Sequence, residues 1–235
     1  MTDDKYKFSI IIPVLNEQDL INPLIQNLRL QALMNTAEVI VVDGDPNGST
    51  INLIHDRKTT CATSEPGRDR QMNTGAAIAR GEILIFLHAD TKLPRDALKK
   101  IAEVLENKQL VAGAFDLAID SNRLILKYIA ARARLRSRLN RIPYGDQAIF
   151  IRRAYFEEIG GFKEMPLMED IDLMRRIKKD GKRIYILKDR VSTSARRWEK
   201  QGAIRTTLRN QVLVTLYYLG VSPEKLARFY RQHGS

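Results

Sequence analysis

Residues 81–91, GEILIFLHADT, place a run of apolar side chains directly before a histidine and an aspartate. The run at residues 82–88 is apolar enough to form a strand that is buried on both faces of a sheet. The carboxylate of Asp90 stands where the chain leaves that sheet. It therefore either caps the next helix or is held against a charged ligand.

Similar apolar runs alternate with helical spacing along the first half of the chain. Strands are predicted at residues 7–15, 37–44 and, more weakly, 59–65, and helices at residues 19–33, at residues 69–79 and from Pro94 onward. Strands that alternate with helices form a mostly parallel sheet with helices on both faces. The sequence thus predicts the α/β class.

The second half of the chain is less regular, but nothing divides it from the first. A strand at 111–119, a basic helix at about 122–140, a short helix within 166–181 and two closing helices within 199–232 are predicted. Neither a linker nor an internal repeat is present, and 44% of the 235 residues are hydrophobic. Residues 1–235 are therefore interpreted as one domain.

Composition also limits the class of protein and of site. The single cysteine, Cys61, excludes an internal disulfide, and His55, His88 and His233 are too scattered for a histidine metal cluster. The opening residues have no signal-peptide pattern and the apolar run at 212–221 is too short to span a bilayer, so a cytoplasmic protein is expected. The net charge of +11 indicates an anionic partner, which is nucleic acid, a phosphorylated small molecule or a membrane face.

Acidic residues follow three of the predicted strands. Glu17, Asp43 and Asp90 each lie at or just after a strand end, where ligands bind to open parallel sheets. Asp45 belongs more simply to a turn, because Pro46, Asn47 and Gly48 follow it. Neither the dinucleotide pattern GxGxxG nor the P-loop pattern GxxxxGK[ST] is present. A dinucleotide dehydrogenase and a P-loop enzyme are therefore not supported. The alternative that stays open is a single crevice in which carboxylates, a divalent cation and arginines hold a nucleotide in another way.

Four motifs in this order resemble glycosyltransferase family 2 with the GT-A fold: FSIIIPVLNE, VIVVDGDPNGST, GEILIFLHADT and GGFKEMPLMEDIDLMRRIKKDG, over about residues 7–185. The stretches EPGRDRQMNTGAA, PYGDQAIF and TSARRW resemble one bacterial branch of that family. The resemblance implies a nucleotide-binding half at about 7–110, an acceptor half at about 111–198 and closing helices at 199–235. It also implies a nucleotide-diphosphate sugar donor and Mg²⁺ or Mn²⁺ as cofactor.

By the same resemblance, residues of the first half bind the donor. Pro13 and Glu17 line the nucleotide pocket, Asp43 bonds the base, the backbone of His88 faces the ribose, and Asp90 binds the metal. Arg68 and Arg70 stand in the loop before a helix start, a position from which they are expected to help neutralise the diphosphate. His88 stands where the family's Asp-x-Asp motif has its first aspartate. The open alternatives are a strand-end hydrogen bond for His88 and a solvated surface pair for the two arginines.

In the second half, the acidic residues of MEDID at 168–172 have two interpretations. Acids in a helix's first turn and bases in its last turn already suit the helix dipole. The resemblance instead identifies Glu169 and Asp170 as a catalytic pair, with Asp170 as the general base of an inverting transfer. Glu169 or Asp172 orients the loop or binds the acceptor in this interpretation.

Two further motifs carry acceptor-side roles by resemblance. In TSARRW, which is similar to the family's QxxRW with Ser194 for glutamine, Arg197 and Trp198 close over the diphosphate and the acceptor. Packing in the core is the alternative for Trp198. Asp146 contacts a sugar hydroxyl, or else forms part of a turn.

The basic helix carries seven basic residues and no acid within 123–141, with an apolar stripe at Leu124, Tyr128, Ala131, Leu135, Leu139 and Ile142. Either this stripe packs on the domain, or the helix lies near anionic lipid and the acceptor is lipid-linked.

Three functions follow in order of preference. A metal-assisted inverting glycosyltransferase comes first. The second is a sugar nucleotidyltransferase, but the glycine-rich basic loop that such an enzyme needs after the first strand is missing from this sequence. The third is a non-catalytic basic module that binds lipid or nucleic acid. Such a module has no need of acids at strand ends, and no aromatic-basic pattern supports RNA binding.

Overall fold

The computed structural model describes residues 6–232, so that His233 lies outside the described residues. Eight strands form one sheet: β1 (Phe8–Val14), β2 (Ala37–Asp43), β3 (Thr59–Thr63), β4 (Ile83–Phe86), β5 (Thr91–Lys92), β6 (Leu110–Asp120), β7 (Ile149–Arg152) and β8 (Arg183–Ser194). The helices are α1 (Gln18–Arg29), α2 (Arg68–Ile78), α3 (Ala97–Leu105), α4 (Leu124–Asn140), α5 (Arg153–Glu158), α6 (Glu169–Lys179), α7 (Arg196–Gln201), α8 (Ala203–Tyr218) and α9 (Pro223–Gln232).

The strand order is β3-β2-β1-β4-β7-β6-β8-β5. The first four strands in this order are parallel, β7 runs antiparallel to both of its neighbours, and β8 is again parallel to β6. Strands β1, β2, β4, β6 and β8 consequently end at the same edge, where open α/β sheets bind ligands. The predicted α/β class with a mostly parallel sheet is confirmed.

Both faces of the sheet are covered. Along β1, Ile10 and Ile12 pack into the core that contains α1 and α3, while Ile11 packs into the opposite core with α2, α5 and α6. Because alternate side chains enter different cores, these strands carry apolar residues at successive positions. This is why their sequences are continuous apolar runs.

Several boundaries differ from the sequence prediction. Strand β4 ends at Phe86 rather than at His88, and α3 begins at Ala97, so Pro94 precedes that helix instead of opening it. The 12-residue strand β8 was not predicted. Its apolar pattern is interrupted by Lys188, Asp189 and Arg190, at the bulge where its register with β6 shifts. Because of this interruption, the hydrophobic pattern of the sequence did not predict the strand.

The closing segment also differs, since it contains three helices rather than two. Helix α7 starts at Arg196, inside the motif that resembled QxxRW, and Gly202 separates it from α8 at a φ of 85°. No helix within residues 6–232 has both the length and the hydropathy that crossing a membrane requires.

Helix α4 does not turn its apolar stripe toward the domain, as an amphipathic helix that packs on a core is expected to do. The predicted stripe is largely exposed, and the buried residues are Leu126, Ala130 and Ser137. Arginines make the inward polar contacts: Arg138 pairs with the buried Asp116, and Arg134 donates to the carbonyl of Leu117 at 3.0 Å. Packing of the stripe on the domain was thus a wrong prediction.

Gly75 lies where α2 crosses β1, and Gly75→Ala tests this contact. Alanine raises helix propensity by about 1 kcal/mol. Its Cβ, however, would lie 2.5 Å from Cγ2 of Ile11 and 3.2 Å from Cγ2 of Val42. Overpacking of this kind costs about 1–3 kcal/mol, so the steric effect should prevail.

We expect Gly75→Ala to lower the free energy of unfolding by about 1–2 kcal/mol in urea titrations. Ile78→Ala, at an exposed position of the same helix, is the matched control and should be close to neutral. A Gly75→Ala protein as stable as the parent chain would show that the α2–β1 contact is looser than described.

Candidate functional site

A cavity of about 340 Å³ opens at the carboxyl edge of the sheet. Its floor is formed by the residues after β4 and the end of β8, its wall by the start of α6 and the turn at 144–146, and its roof by α7, α8 and α9. Of the residues selected from the sequence, it is lined by Arg68, His88, Asp90, Asp146, Glu169, Asp170, Arg197 and Trp198. A cavity of this size is adequate for a small ligand.

Asp90 is held by strand pairing at the cavity floor. The short strand β5 follows it and pairs with β8, and the N–H of Ser194 donates to the carbonyl of Asp90 at 3.0 Å. Its Oδ1 accepts from the hydroxyls of Thr91 and Thr193 at 3.3 and 3.5 Å. Since β4 ends four residues earlier, β5 and β8 give Asp90 its fixed position, rather than the apolar strand that precedes it.

Helix α6 carries Glu169 and Asp170 into the wall in its first turn. The preceding residue, Met168, has a φ of 74°, which is unusual for a side chain of that size. Oδ2 of Asp170 accepts from the N–H of Gly145 at 2.6 Å, and Oδ1 accepts from its neighbour Ile171 at 2.7 Å. A buried helix start and one backbone N–H from another segment therefore orient this carboxylate.

Burial dominates the electrostatics of these two acids. It raises the pKa of Asp170, although the N–H groups of Gly145 and Ile171 oppose the rise. Burial, followed by the charge of Asp170, raises the pKa of Glu169 to about 7, against the lowering effect of Arg68. Raised pKa values of this kind are typical of groups that exchange protons near neutral pH.

Asp146 adds a third such group. Its Oδ1 is buried and has no hydrogen-bond partner within residues 6–232. Burial raises its pKa to about 6, the charge of Arg136 opposes the rise, and the charges of Asp170 and Asp90 add to it. An unpartnered acceptor at this depth is suited to a ligand hydroxyl or a cation.

The turn that carries Asp146 leaves little room for a side chain at position 145. A Cβ on Gly145 would stand 3.0 Å from Nε2 of His88 and 3.6 Å from Oδ2 of Asp170. Arg136 stacks on the ring of Tyr144, 3.2 Å from its centroid, and Gln147 donates to the carbonyl of Phe115 at 2.8 Å. Helix α4 and strand β6 thereby fix the turn against the acids.

Two arginines balance part of this negative charge. Arg68 and Arg197 line the cavity, and neither forms a salt bridge with another residue in the described range. Burial, followed by the charges of these two arginines, lowers the pKa of His88 well below its usual range. His88 is consequently neutral at physiological pH, and the cations remain available to an anionic ligand.

Three residues selected from the sequence lie outside the cavity, at the ends of β1 and β2. Pro13 is buried within β1 and the Glu17 carboxylate pairs with Arg196 at 3.1 Å. Asp43 is fully buried, and its carboxylate accepts from the N–H groups of Asp45, Thr50 and Ile51 at 2.9, 2.7 and 3.2 Å. Asp43 thus shapes the loop at 44–51, and its contact with a base stays a prediction.

Two others are engaged elsewhere. Arg70 approaches Glu164 at 3.5 Å on the surface. Asp172 is bound by Arg176 at 2.7 Å, and that guanidinium also donates to the carbonyls of Ile159 and Gly161. Asp172 therefore holds the loop before α6 in position.

Whether this cavity can hold a metal ion depends on which side chains are available as ligands. Among residues 6–232, no three side chains of the His, Cys, Asp and Glu types come together as a cluster for a metal ion. Mg²⁺ nevertheless often binds to proteins through one or two carboxylates, with substrate phosphates and water as its other ligands. Asp90 and the unpartnered Oδ1 of Asp146 meet that smaller requirement.

The roof of the cavity was missed by sequence reasoning. Asn210, Leu213 and Val214 of α8 and Tyr230 of α9 line it, as does Trp198 of α7. Trp198 also packs against the small core of Ile119, Leu126 and Ala203, as its alternative interpretation expected. Its contact with the diphosphate and the acceptor stays a prediction. No local pattern marks the α8 and α9 residues, because only the return of the chain brings them to the site.

Solved structures share this architecture. The mannosyltransferase PcManGT from Pyrobaculum calidifontis, in complex with GDP-Man and Mn²⁺, has a TM-score of 0.67 at 22% identity, over 93% of this chain and 66% of its own. TarS 1-349 of S. aureus in complex with UDP has a TM-score of 0.62 at 19% identity, over 80% and 60%. At these identities the likeness establishes the GT-A fold.

Curated relatives are similar over part of this chain. The poly(ribitol-phosphate) beta-N-acetylglucosaminyltransferase TarS of Staphylococcus aureus (strain Mu50 / ATCC 700699) is 26% identical over 108 residues, which are 43% of this chain and 19% of TarS. The poly(ribitol-phosphate) beta-glucosyltransferase of Bacillus spizizenii is 30% identical over 103 residues, which are 39% of this chain and 16% of that protein. The chain spans less than a fifth of either relative.

The family model for glycosyl transferase family 2 matches residues 9–163, a segment that runs from β1 to the loop before α6 and contains Asp90 and Asp146. More than half of the chain is covered by this match. This protein therefore belongs to glycosyl transferase family 2.

Proposed function

We propose that this protein is an inverting glycosyltransferase that moves a sugar from a nucleotide-diphosphate donor to an acceptor hydroxyl. One observation carries the proposal: Asp90, Asp146, Glu169 and Asp170 face a single cavity together with Arg68 and Arg197, which form no salt bridge within the described chain. Acids suit sugar hydroxyls and proton transfer, and the arginines suit a diphosphate.

The donor would span two neighbouring parts of the carboxyl edge. Its nucleoside would lie at the ends of β1 and β2, near Pro13, Glu17 and the loop that Asp43 holds. Its diphosphate would lie between Arg68 and Arg197. The complexes of PcManGT with GDP-Man and of TarS with UDP-GlcNAc support a donor of this class.

In the transfer itself, Asp170 would take the proton of the acceptor hydroxyl. The acceptor oxygen then bonds to the anomeric carbon while the bond from that carbon to the diphosphate oxygen breaks, which inverts the configuration. Asp170 suits this role because burial raises its pKa and two N–H groups fix its orientation. Glu169 lies deeper, only 8% exposed, and would influence Asp170 through its charge.

A divalent cation fits the same arrangement. Asp90 and Asp146 would hold Mg²⁺ or Mn²⁺, and the ion would neutralise charge on the departing nucleoside diphosphate. Arg68 and Arg197 would share that task. Asp146 and Trp198 would also contact the sugar or the acceptor, while Asp172 keeps the loop before α6 in place.

Donor binding is tested by thermal unfolding of the chain with UDP, GDP and their sugars, with and without Mn²⁺. We expect one nucleotide diphosphate to raise the midpoint temperature in a Mn²⁺-dependent manner. Asp90→Ala should weaken this binding by about tenfold or more, equivalent to about 1.4 kcal/mol. Asp120→Ala, at the exposed end of β6, is the control and should bind as the parent does. Stabilisation by oligonucleotides alone would contradict a nucleotide-sugar enzyme.

The general base is tested with Asp170→Asn. We expect donor binding to persist and the transfer rate to fall by about 10²–10⁴-fold, because the amide accepts no proton. Asp19→Asn places the same change in the first turn of α1, at an exposed position, and separates catalysis from an effect on a helix dipole. Transfer that survives in Asp170→Asn would exclude this residue as the base.

The burial of Glu169 should make the free energy of unfolding depend on pH. Its pKa is about 7 in the folded chain, against an ordinary value of 4.5, so the folded state retains a proton between these values that the unfolded state releases. Stability therefore falls as pH rises from about 4.5 to about 7, and the penalty is complete above that range.

Glu169→Gln removes this penalty. We expect the variant to exceed the parent by about 3 kcal/mol near pH 8, a rise of about 6–12 °C in midpoint temperature, and by little near pH 4. Glu106→Gln, at an exposed position, should change neither value. A difference between Glu169→Gln and the parent that is independent of pH would mean that folding does not raise the pKa of Glu169.

A further inference from the structure

The outer surface of α4 exposes large apolar side chains in a regular pattern. Leu124 is 81% exposed, Tyr128 59%, Leu135 60% and Leu139 72%. Their spacings of four, seven and four residues place them on one side of the helix. Single exposed apolar side chains are common on proteins, but three leucines and a tyrosine on one helix side form a continuous stripe.

Helix α8 contacts α4 and exposes a second stripe. Ile204 is 65% exposed, Leu208 59% and Val212 47%, and Leu219 follows directly after the helix at 75%. The opposite side of α8 is buried at Ala203, Thr206 and Leu213. The two helices, called here the α4–α8 face, thus combine a packed inner side with an apolar outer side.

The charged residues of α4 and α8 themselves have one sign. No aspartate or glutamate occurs within residues 121–145 or 200–223. Arg123, Lys127, Arg132 and Arg205 are exposed beside the leucines. A helix with leucines on one side and flanking basic residues lies well in the interface of a membrane, where anionic headgroups attract the cations.

We propose that the α4–α8 face docks on a membrane surface that contains anionic lipid. Charge complementarity selects this occupant. A second copy on the same face would bring two cationic surfaces together across a symmetric contact, without acids to neutralise them.

One consequence rests on the proposed function. Helix α8 presents Asn210, Leu213 and Val214 to the cavity and Leu208 and Val212 to the outside. Docking would therefore place the roof of the cavity beside the lipid surface. An acceptor that is carried by a lipid would reach Asp170 from that side.

Docking is tested by sedimentation of the full chain with vesicles of phosphatidylcholine, with and without phosphatidylglycerol. We expect binding only to the anionic vesicles, and less of it at high salt. Lys127→Glu with Arg132→Glu should lower partitioning by about fivefold or more for each residue. Leu135→Ser with Leu139→Ser should reduce it comparably, because the apolar insertion is lost.

Matched controls are Leu30→Ser and Lys108→Glu, two exposed positions away from this face, which should bind as the parent does. Light scattering of each protein measures its oligomeric state. A dimer that Leu135→Ser with Leu139→Ser dissociates would overturn the proposal, as would vesicle binding that is absent or unaffected by both pairs of changes. Since these positions lie outside the cavity, the nucleotide-dependent thermal shift should persist in every variant, which separates failed docking from failed donor binding.

Discussion

The site depends on the free energy required to keep several carboxyl groups together in one partly buried cavity. Burial raises the pKa of Asp146, Glu169 and Asp170, and the charge of Asp170 adds to the rise at Asp146 and Glu169. Arg68 and Arg197 offset only part of this charge, and His88 is kept neutral beside them. Functional sites often store unfavourable electrostatics of this kind, which the rest of the fold must support.

The fold supplies that support through backbone contacts from several elements. The pairing of β5 with β8 holds Asp90, the buried start of α6 holds Glu169 and Asp170, and the turn at 144–146 donates the N–H of Gly145. The ion pair of Glu17 with Arg196 joins the end of β1 to α7. The helix that carries Arg197 over the cavity is thereby tied to the rim on which we place the nucleoside.

Helix α4 shows how one segment serves both the site and the surface. Its arginines reach inward, where Arg138 meets the buried Asp116 and Arg136 stacks on Tyr144 in the turn at 144–146. Long arginine side chains can bridge to buried acceptors, so a basic helix need not keep its charges in solvent. The leucines are left outside, and this reversal is the basis of the proposed membrane contact.

The sequence by itself determined the α/β class, the three parallel strands β1, β2 and β4, and most residues of the acidic cavity. Apolar runs and helical spacing are local signals, and the family motifs mark Asp90, Asp146, Glu169 and Asp170 individually. Strand β8 was not predicted because a bulge interrupts its apolar pattern. Asn210 and Tyr230 were not predicted because no local signal marks a residue that reaches the site only through the path of the chain. The tertiary structure alone decided which side of α4 faces the domain, and it alone decided that Asp43 holds a loop outside the cavity. Both depend on the partners that buried polar groups find once distant segments have come together.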